Sequence, residues 1–370
     1  MEKILTNVRI IDPSQKIDEI GNIIIDEKGK IKSIGKKTKL SDASKTAEKI
    51  DLQGNIAIPG IVDMKAFVGE PGFEYKENFR TLSQAALAGG VTSIVTMPNT
   101  KPVIDNVSMV DFIIRRGRDK AKVNLYPCAA ITRQLEGKQM SEFGLLKERG
   151  IIGFSDVNKT IQNTELMSRI MNYASDLDTL IMQHAEDYEL AKNSCINEGE
   201  VATRLGLQGV SDIAERIIIE RDLSLLSIFP CRYHINQISS KNSLKVIEKN
   251  KSNGIRFSTG VSINNLSLNE NDIGEFRTFL KLSPPLRTED DRLSLIDGIK
   301  KDLIDVIVSD HTPEDEESKR LPFAQAATGS IGIETLLPLS LELYHNESLA
   351  LERIIKCLTN NPTKILKINK

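Results

Sequence analysis

Tryptophan is absent from this 370-residue sequence, and histidine and cysteine occur only four times each. The cysteines show no CxxC spacing, which excludes a zinc-ribbon or disulfide scaffold and predicts reduced thiols in the cytoplasm. No apolar run has the length of a signal peptide or a membrane span. A formal net charge of −2 gives no basic excess, so neither nucleic acid nor a membrane is expected as a partner.

The first part of the chain has the pattern of β-strands. The run ILTNVRII is followed by the turn residues Asp12-Pro13-Ser14, and two β-branched runs flank Glu27-Lys28-Gly29, as in a tight hairpin. A further strand-like run covers residues 50–61. We therefore predict a small β domain over residues 1–55.

From residue 56 to residue 370, short apolar runs alternate with amphipathic helical segments. Eight such runs predict parallel βαβ units and a closed (β/α)8 barrel of the TIM type. An open, doubly wound sheet is the alternative, but no GxGxxG or GxxxxGK[ST] motif follows a predicted strand. The predicted strands are 58–63, 92–97, 124–130, 151–154, 180–184, 232–238, 255–259 and 304–309. The predicted helices are 79–88, 107–116, 163–173, 210–226, 243–250 and 290–300.

Catalytic groups in such barrels lie at the carboxyl ends of the strands. The polar residues at these positions are Asp63, Asn99, Asp156, His184, His234, Gln237 and the pair Asp310-His311. Singly, each has a structural explanation, such as helix capping for an aspartate. Together, Asp156, His184 and Asp310 are the carboxylates and imidazole that a divalent metal with a bound water requires. Against such a site, the few histidines include no His-x-His pair.

Several segments resemble bacterial dihydroorotases. They are DMKAFVGEPGFEYKENFRTLSQAALAGGVTSIVTMPNTKPVIDN, QHAEDYEL, INEGEVATRLGLQGVSDIAERIIIERDLSLL, SPPLRTEDDR, IDVIVSDHTPEDEESK and LTNNPTKIL. Allantoinases and dihydropyrimidinases are related, but EPGFEYKE and MPNT…PVIDN favour the dihydroorotase branch. The resemblance implies an amidohydrolase-superfamily barrel with a small β domain, zinc as the cofactor, and reversible hydrolysis of dihydroorotate to carbamoyl-aspartate in pyrimidine biosynthesis.

The site residues that the resemblance implies are only partly present. The family's His-x-His metal pair corresponds to Lys65 and Phe67, and a sixth-strand histidine ligand corresponds to Gln237. Gly69 stands in place of an arginine that clamps the substrate carboxylate. Further replaced positions are Ser283, for a substrate-binding asparagine, and Ile263-Asn264-Asn265, for a Pro-His-His stretch. The retained positions are Asn99 and His311 for substrate and Asp156, His184 and Asp310 for metal.

These replacements predict a pseudoenzyme with zinc absent or weakly bound. The ammonium of Lys65 would repel a divalent cation about 4 Å away by several kcal/mol at an effective dielectric constant of about 20.

The resemblance to non-catalytic dihydroorotase-like chains implies aspartate transcarbamoylase as a partner, or self-association. Two alternatives stay open. One is an active hydrolase with a single metal on the retained ligands and Asp310 as general base. The other is a metal-free binder of another small molecule.

The end of the sequence also bears on the small domain. Family members usually continue past the segment that corresponds to Asn361-Pro362-Thr363, with strands that complete the β domain, whereas this sequence stops at Lys370. We therefore expect an incomplete N-terminal β domain, whose uncovered sheet edges a partner or a second copy would cover.

Overall fold

The computed structural model describes residues 1–368, and its first five strands form one sheet. These strands are β1 (Lys3–Asp12), β2 (Ile17–Ile25), β3 (Ile31–Gly35), β4 (Glu48–Asp51) and β5 (Ile56–Ala57). Their order is β3-β2-β1-β4, and β5 also pairs with β1. The β2–β3 pair is antiparallel, and its turn includes Gly29 at a φ of +77°, where glycine has no steric penalty. The predicted hairpin is therefore confirmed.

The small sheet buries alternate residues of its strands, because successive side chains point to opposite faces. Val8 and Ile10 of β1 pack with Ile23 of β2. Ile11, on the other face, packs against Leu351 and Ile355 near the end of the chain. A cavity of about 900 Å³ lies between this sheet and the C-terminal helices.

Eight parallel strands form the predicted barrel, within the described residues. They are β6 (Ile61–Ala66), β7 (Val91–Thr96), β8 (Asn124–Ala129), β9 (Gly153–Phe154), β10 (Leu180–Gln183), β13 (Arg232–Ile235), β14 (Ser258–Ser262) and β15 (Val306–Val308). The barrel closes where the amide of Phe67 donates to the carbonyl oxygen of His311 at 2.9 Å. A short pair outside the barrel comprises β11 (Ile196–Asn197) and β12 (Gly209–Val210).

The helices cover the outside of the barrel. They are α1 (Phe79–Ala88), α2 (Val107–Lys120), α3 (Phe143–Glu148), α4 (Thr164–Asp176), α5 (Tyr188–Ala191), α6 (Glu200–Leu205), α7 (Ile213–Leu226), α8 (Lys241–Ser252), α9 (Ile263–Ser267), α10 (Glu289–Lys300), α11 (Glu316–Lys319), α12 (Leu336–His345), α13 (Leu351–Ile355) and α14 (Asn361–Leu366). Side-chain caps from Asn78, Asn163 and Thr288 begin α1, α4 and α10 by accepting otherwise unpaired backbone N–H groups. Among residues 1–368, no helix has both the length and the apolarity to cross a bilayer.

Two strands of the barrel differ in position from the prediction. The first runs from Ile61 to Ala66 rather than over residues 58–63, because the earlier part of that apolar run pairs with β1 as β5. Asp63 therefore lies inside β6 and does not end it. Its carboxylate accepts the backbone N–H of Ser309 at 3.2 Å, which ties β6 to the end of β15. The seventh strand, β14, likewise begins later than predicted, at Ser258.

Candidate active site

The side chain of Lys65 lies in the mouth of the barrel, at the carboxyl end of β6, and is 3% exposed. Its Nζ forms an ion pair with Asp310 Oδ1 at 3.0 Å. The same Nζ donates hydrogen bonds to Asn158 Oδ1 at 2.8 Å and to Gln237 Oε1. The ammonium thus joins β6 to the segments that follow β9, β13 and β15. All of these residues except Asn158 are candidate site positions in the sequence.

Asp310 follows β15 with its backbone in the left-handed region, at a φ of +54°. Few residues other than glycine adopt this conformation, although aspartate does so more readily than most. The side chain is buried, and Lys65 supplies its counter-charge. Asp310 is therefore directed toward the barrel axis, as the prediction of a strand-end carboxylate requires.

The carboxylate of Asp156, by contrast, is hydrogen-bonded to a neighbouring loop. Both of its carboxylate oxygens accept hydrogen bonds from Thr132, one from the backbone N–H at 3.0 Å and one from the hydroxyl. Burial raises the pKa of Asp156 to about 6, although the bonds from Thr132 act in the opposite direction. The next residue, Val157, has a φ of +62°, a strained conformation for a β-branched side chain.

His184 follows β10 and is 1% exposed. Its Nε2 lies 3.4 Å from Ser283 Oγ and 3.9 Å from Glu186 Oε1. Its Nδ1 has no hydrogen-bond partner among the described residues. Burial acts to raise the pKa of Glu186, but the neighbouring His184 and the charge of Arg287 together outweigh burial and lower it.

The two retained positions that the resemblance assigns to substrate differ in their surroundings. His311 is held on both sides, because its Nε2 lies 3.1 Å from Glu77 Oε2 and its Nδ1 accepts the N–H of Gly332 at 3.2 Å. The buried Oδ1 of Asn99 has no hydrogen-bond partner within residues 1–368. Asn99 therefore keeps a free acceptor, whereas a substrate contact from His311 would have to replace a contact within the protein.

His234 does not belong to the barrel mouth. It lies within β13, which ends at Ile235, and its Nδ1 is 2.8 Å from the hydroxyl of Ser258 on β14. Burial, and secondarily the charge of Lys251, lower the pKa of His234 to about 3. The prediction that His234 ends the sixth strand is wrong, because β13 continues to Ile235 and its pairing with β14 sets His234 beside Ser258.

The residues at the replaced positions make packing contacts or hydrogen bonds of their own. Phe67 is buried and packs against Phe73, with ring centroids 6.3 Å apart. Gly69 has a φ of +71°, and a Cβ there would lie 2.7 Å from the carbonyl oxygen of Phe73 and closer still to that of Glu77. A larger residue cannot enter this position without a change in the loop. Asn265 donates to the carbonyl oxygen of Pro285 at 3.0 Å.

The residues present at the barrel mouth do not fit a zinc ion. Asp310 is paired with an ammonium, Asp156 with Thr132, and Phe67 has no donor atom. In the part of the chain that the structure describes, no group of three or more His, Cys, Asp or Glu side chains is arranged to hold a metal. Within the described residues, Asp156, His184 and Asp310 are thus not brought together as one ligand set, and the single-metal alternative finds no support in this arrangement.

Comparison with known proteins places the chain in a family. A family profile described as "Dihydro-orotase-like" matches residues 54–243. The dihydroorotase of Ehrlichia canis (strain Jake) is 41% identical over 98% of this chain and 81% of its own length. The dihydroorotase of Syntrophus aciditrophicus (strain SB) is 39% identical over 100% of this chain and 86% of its own.

A solved structure shows the same fold at much lower identity. The L-hydantoinase (dihydropyrimidinase) from Arthrobacter aurescens superposes with a TM-score of 0.86 at 22% identity, covering 100% of this chain and 83% of its own. The two proteins therefore share the fold of an eight-stranded parallel barrel with a small β domain. The family profile matches this chain, and its identity to the two dihydroorotases extends over nearly its whole length. This chain therefore belongs to the dihydroorotase family of the amidohydrolase superfamily.

Proposed function

We propose that this chain is a dihydroorotase-family protein of pyrimidine biosynthesis that does not hydrolyse dihydroorotate and acts by binding a protein partner. The observation that carries the proposal is the position of the Lys65 ammonium. It lies between Asp310 and Gln237, two positions that the resemblance assigns to metal ligands.

Hydrolysis of a cyclic amide needs an activated water and a positive centre that stabilises the developing oxyanion. Asp310 is the carboxylate that the active alternative assigns as general base, and here it neutralises a buried ammonium. The conformation of Gly69 also leaves no room for a carboxylate-binding arginine. These features together support a non-catalytic role.

We propose aspartate transcarbamoylase as the partner, from the resemblance to non-catalytic chains that associate with it. The small sheet supports a binding role, because large apolar side chains on it face solvent. Ile20, Ile31 and Ile56 are 65%, 62% and 48% exposed. Ile31 lies on β3, an edge strand of this sheet, and an exposed edge with apolar side chains is available to pair with another chain.

The test uses the full-length chain and the transcarbamoylase of the same organism. We expect no carbamoyl-aspartate from dihydroorotate, with or without added zinc, and co-elution in size-exclusion chromatography at micromolar concentrations. Ile31→Lys should weaken co-elution, whereas Leu145→Lys should not, because Leu145 is comparably exposed (52%) but lies on a barrel helix. Separate elution of the two wild-type proteins would contradict the proposed partner, and steady turnover would contradict the non-catalytic role.

One observation favours a second candidate function, the binding of a small molecule at the barrel mouth. Asn99 Oδ1, His184 Nδ1 and Gln237 Nε2 are buried and lack hydrogen-bond partners among residues 1–368. Buried polar atoms of this kind are usually satisfied by water or a ligand. A thermal-shift screen against pyrimidine intermediates tests this function, and Asn99→Leu should abolish any shift that a ligand of this site causes.

A further inference from the structure

We propose that the Lys65 ammonium is a built-in structural cation, which replaces a metal ion at the barrel mouth and makes the stability of this protein independent of zinc. The inference rests on the proposed non-catalytic role and deepens it. In this view the mouth of the barrel has been converted from a metal centre into a part of the core.

The contacts of Lys65 match the chemistry of an ammonium group. A lysine Nζ has three N–H donors and no acceptor, so burial requires three acceptors around it. The structure provides three oxygens, from Asp310 at 3.0 Å, from Asn158 at 2.8 Å and from Gln237. One of the three is a carboxylate, which supplies the counter-charge in an ion pair, and two are amide oxygens, which accept hydrogen bonds from the ammonium.

The same contacts link parts of the barrel that are distant in sequence. Asn158, Gln237 and Asp310 lie 93, 172 and 245 positions after Lys65, and each follows a different barrel strand. A metal ion bound by strand-end ligands would link the same strands. The position two residues after Lys65 is filled by Phe67, which packs on Phe73 and is not a donor. The replacements at 65 and 237 therefore form one arrangement rather than two separate losses.

The first measurement is the metal content and thermal stability of the full-length wild-type protein, purified from medium that contains zinc. We expect less than about 0.1 zinc per chain by elemental analysis, and a Tm that changes by less than about 1 °C with excess zinc or EDTA, since only an ion that binds the folded state raises Tm. About one zinc per chain, or a Tm raised several degrees by zinc, would overturn the inference.

The second measurement compares variants. Lys65→Met leaves Asp310 buried without a counter-charge, so Tm should fall by about 5 °C or more. Lys138→Met is the matched control, since the pair of Lys138 and Glu136 (3.2 Å) is exposed and its loss should shift Tm by less than about 1 °C. The double variant K65M/D310N removes both charges and should regain most of the loss.

If K65M does not accumulate as folded protein, the double variant provides the result: a folded double variant supports the inference. A K65M Tm within about 1 °C of wild type, or a double variant no more stable than K65M, would overturn it. None of these readouts involves turnover. Hydrolysis of dihydroorotate by a zinc-free wild type would therefore contradict the proposed function and leave the structural role of Lys65 standing.

Discussion

At the scale of single residues, the barrel mouth shows that a replaced site residue can be fixed by its surroundings. Lys65 is held by three oxygens, Phe67 by an aromatic neighbour and Gly69 by two carbonyl oxygens. If a single family residue were restored at one of these positions, it would therefore lose the contacts that hold the present residue and would clash or remain unpaired. A carboxylate-binding arginine at position 69 is the clearest case.

Gly69 gives a direct test of this adaptation. Gly69→Ala should lower the free energy of unfolding by about 2–4 kcal/mol, because a positive φ and a clash with backbone oxygens act together. Gly137→Ala is the matched control: its φ of +66° is similar, but a Cβ there would meet nothing within 4 Å, so a loss of about 1 kcal/mol is expected. Urea unfolding of both variants checks the difference. Equal losses would contradict the close packing at Gly69.

At the scale of elements, strand pairing decides which way a polar residue faces. The sequence pattern locates the strands but not their ends, so Asp63 and His234 were both predicted at strand ends and both lie inside a strand. The pairing of β13 with β14 sets His234 opposite Ser258 in the barrel wall. The imidazole is thereby kept neutral and away from the site.

The position of His234 between β13 and β14 predicts a pH dependence. Its folded pKa is about 3 against an ordinary value of 6.5, so between these values the unfolded chain binds a proton that the folded chain does not. Because of His234, the free energy of unfolding therefore decreases as the pH drops below 6.5, by about 2 kcal/mol at pH 5.

His234→Gln removes this titration and keeps a polar side chain of similar reach. We expect the free energy of unfolding of wild type, relative to the variant, to decrease by about 2 kcal/mol between pH 7.5 and pH 5. Urea unfolding at the two pH values measures the difference. A difference between the two proteins that does not change with pH would show that His234 is protonated in the folded state.

At the scale of the whole molecule, the small sheet and the barrel share a core. Ile11 of β1 is 1% exposed and packs against Leu351 and Ile355 of α13, although these residues are far apart in sequence. We expect one cooperative unfolding transition for both parts, and we expect Ile11→Ala to lower its midpoint through a loss of about 2–4 kcal/mol. Circular dichroism during urea unfolding checks this, and two separate transitions would contradict a shared core.

The sequence by itself determined the fold class and the family. Strand and helix patterns depend on local periodicity, so all eight barrel strands were predicted close to their positions in the structure, and the first helix matched its predicted bounds. The start of α7 differs from the prediction by a few residues because Val210 pairs with Asn197 and does not enter the helix. The identities of the replaced residues, Lys65 and Gln237 among them, were also evident from the sequence alone.

Only the tertiary structure decided what these residues do. The Lys65 ammonium pairs with Asp310 and donates to Asn158, and Asp156 accepts from Thr132. These contacts depend on the side-chain directions of segments that are distant in the chain. Local pattern carries no information on such directions, because they follow from strand register, loop conformation and the need to satisfy every buried charge. The altered positions are evident in the sequence, but only burial in one low-dielectric barrel mouth joins Lys65 and Gln237 with Asp310 and Asn158 in a single network.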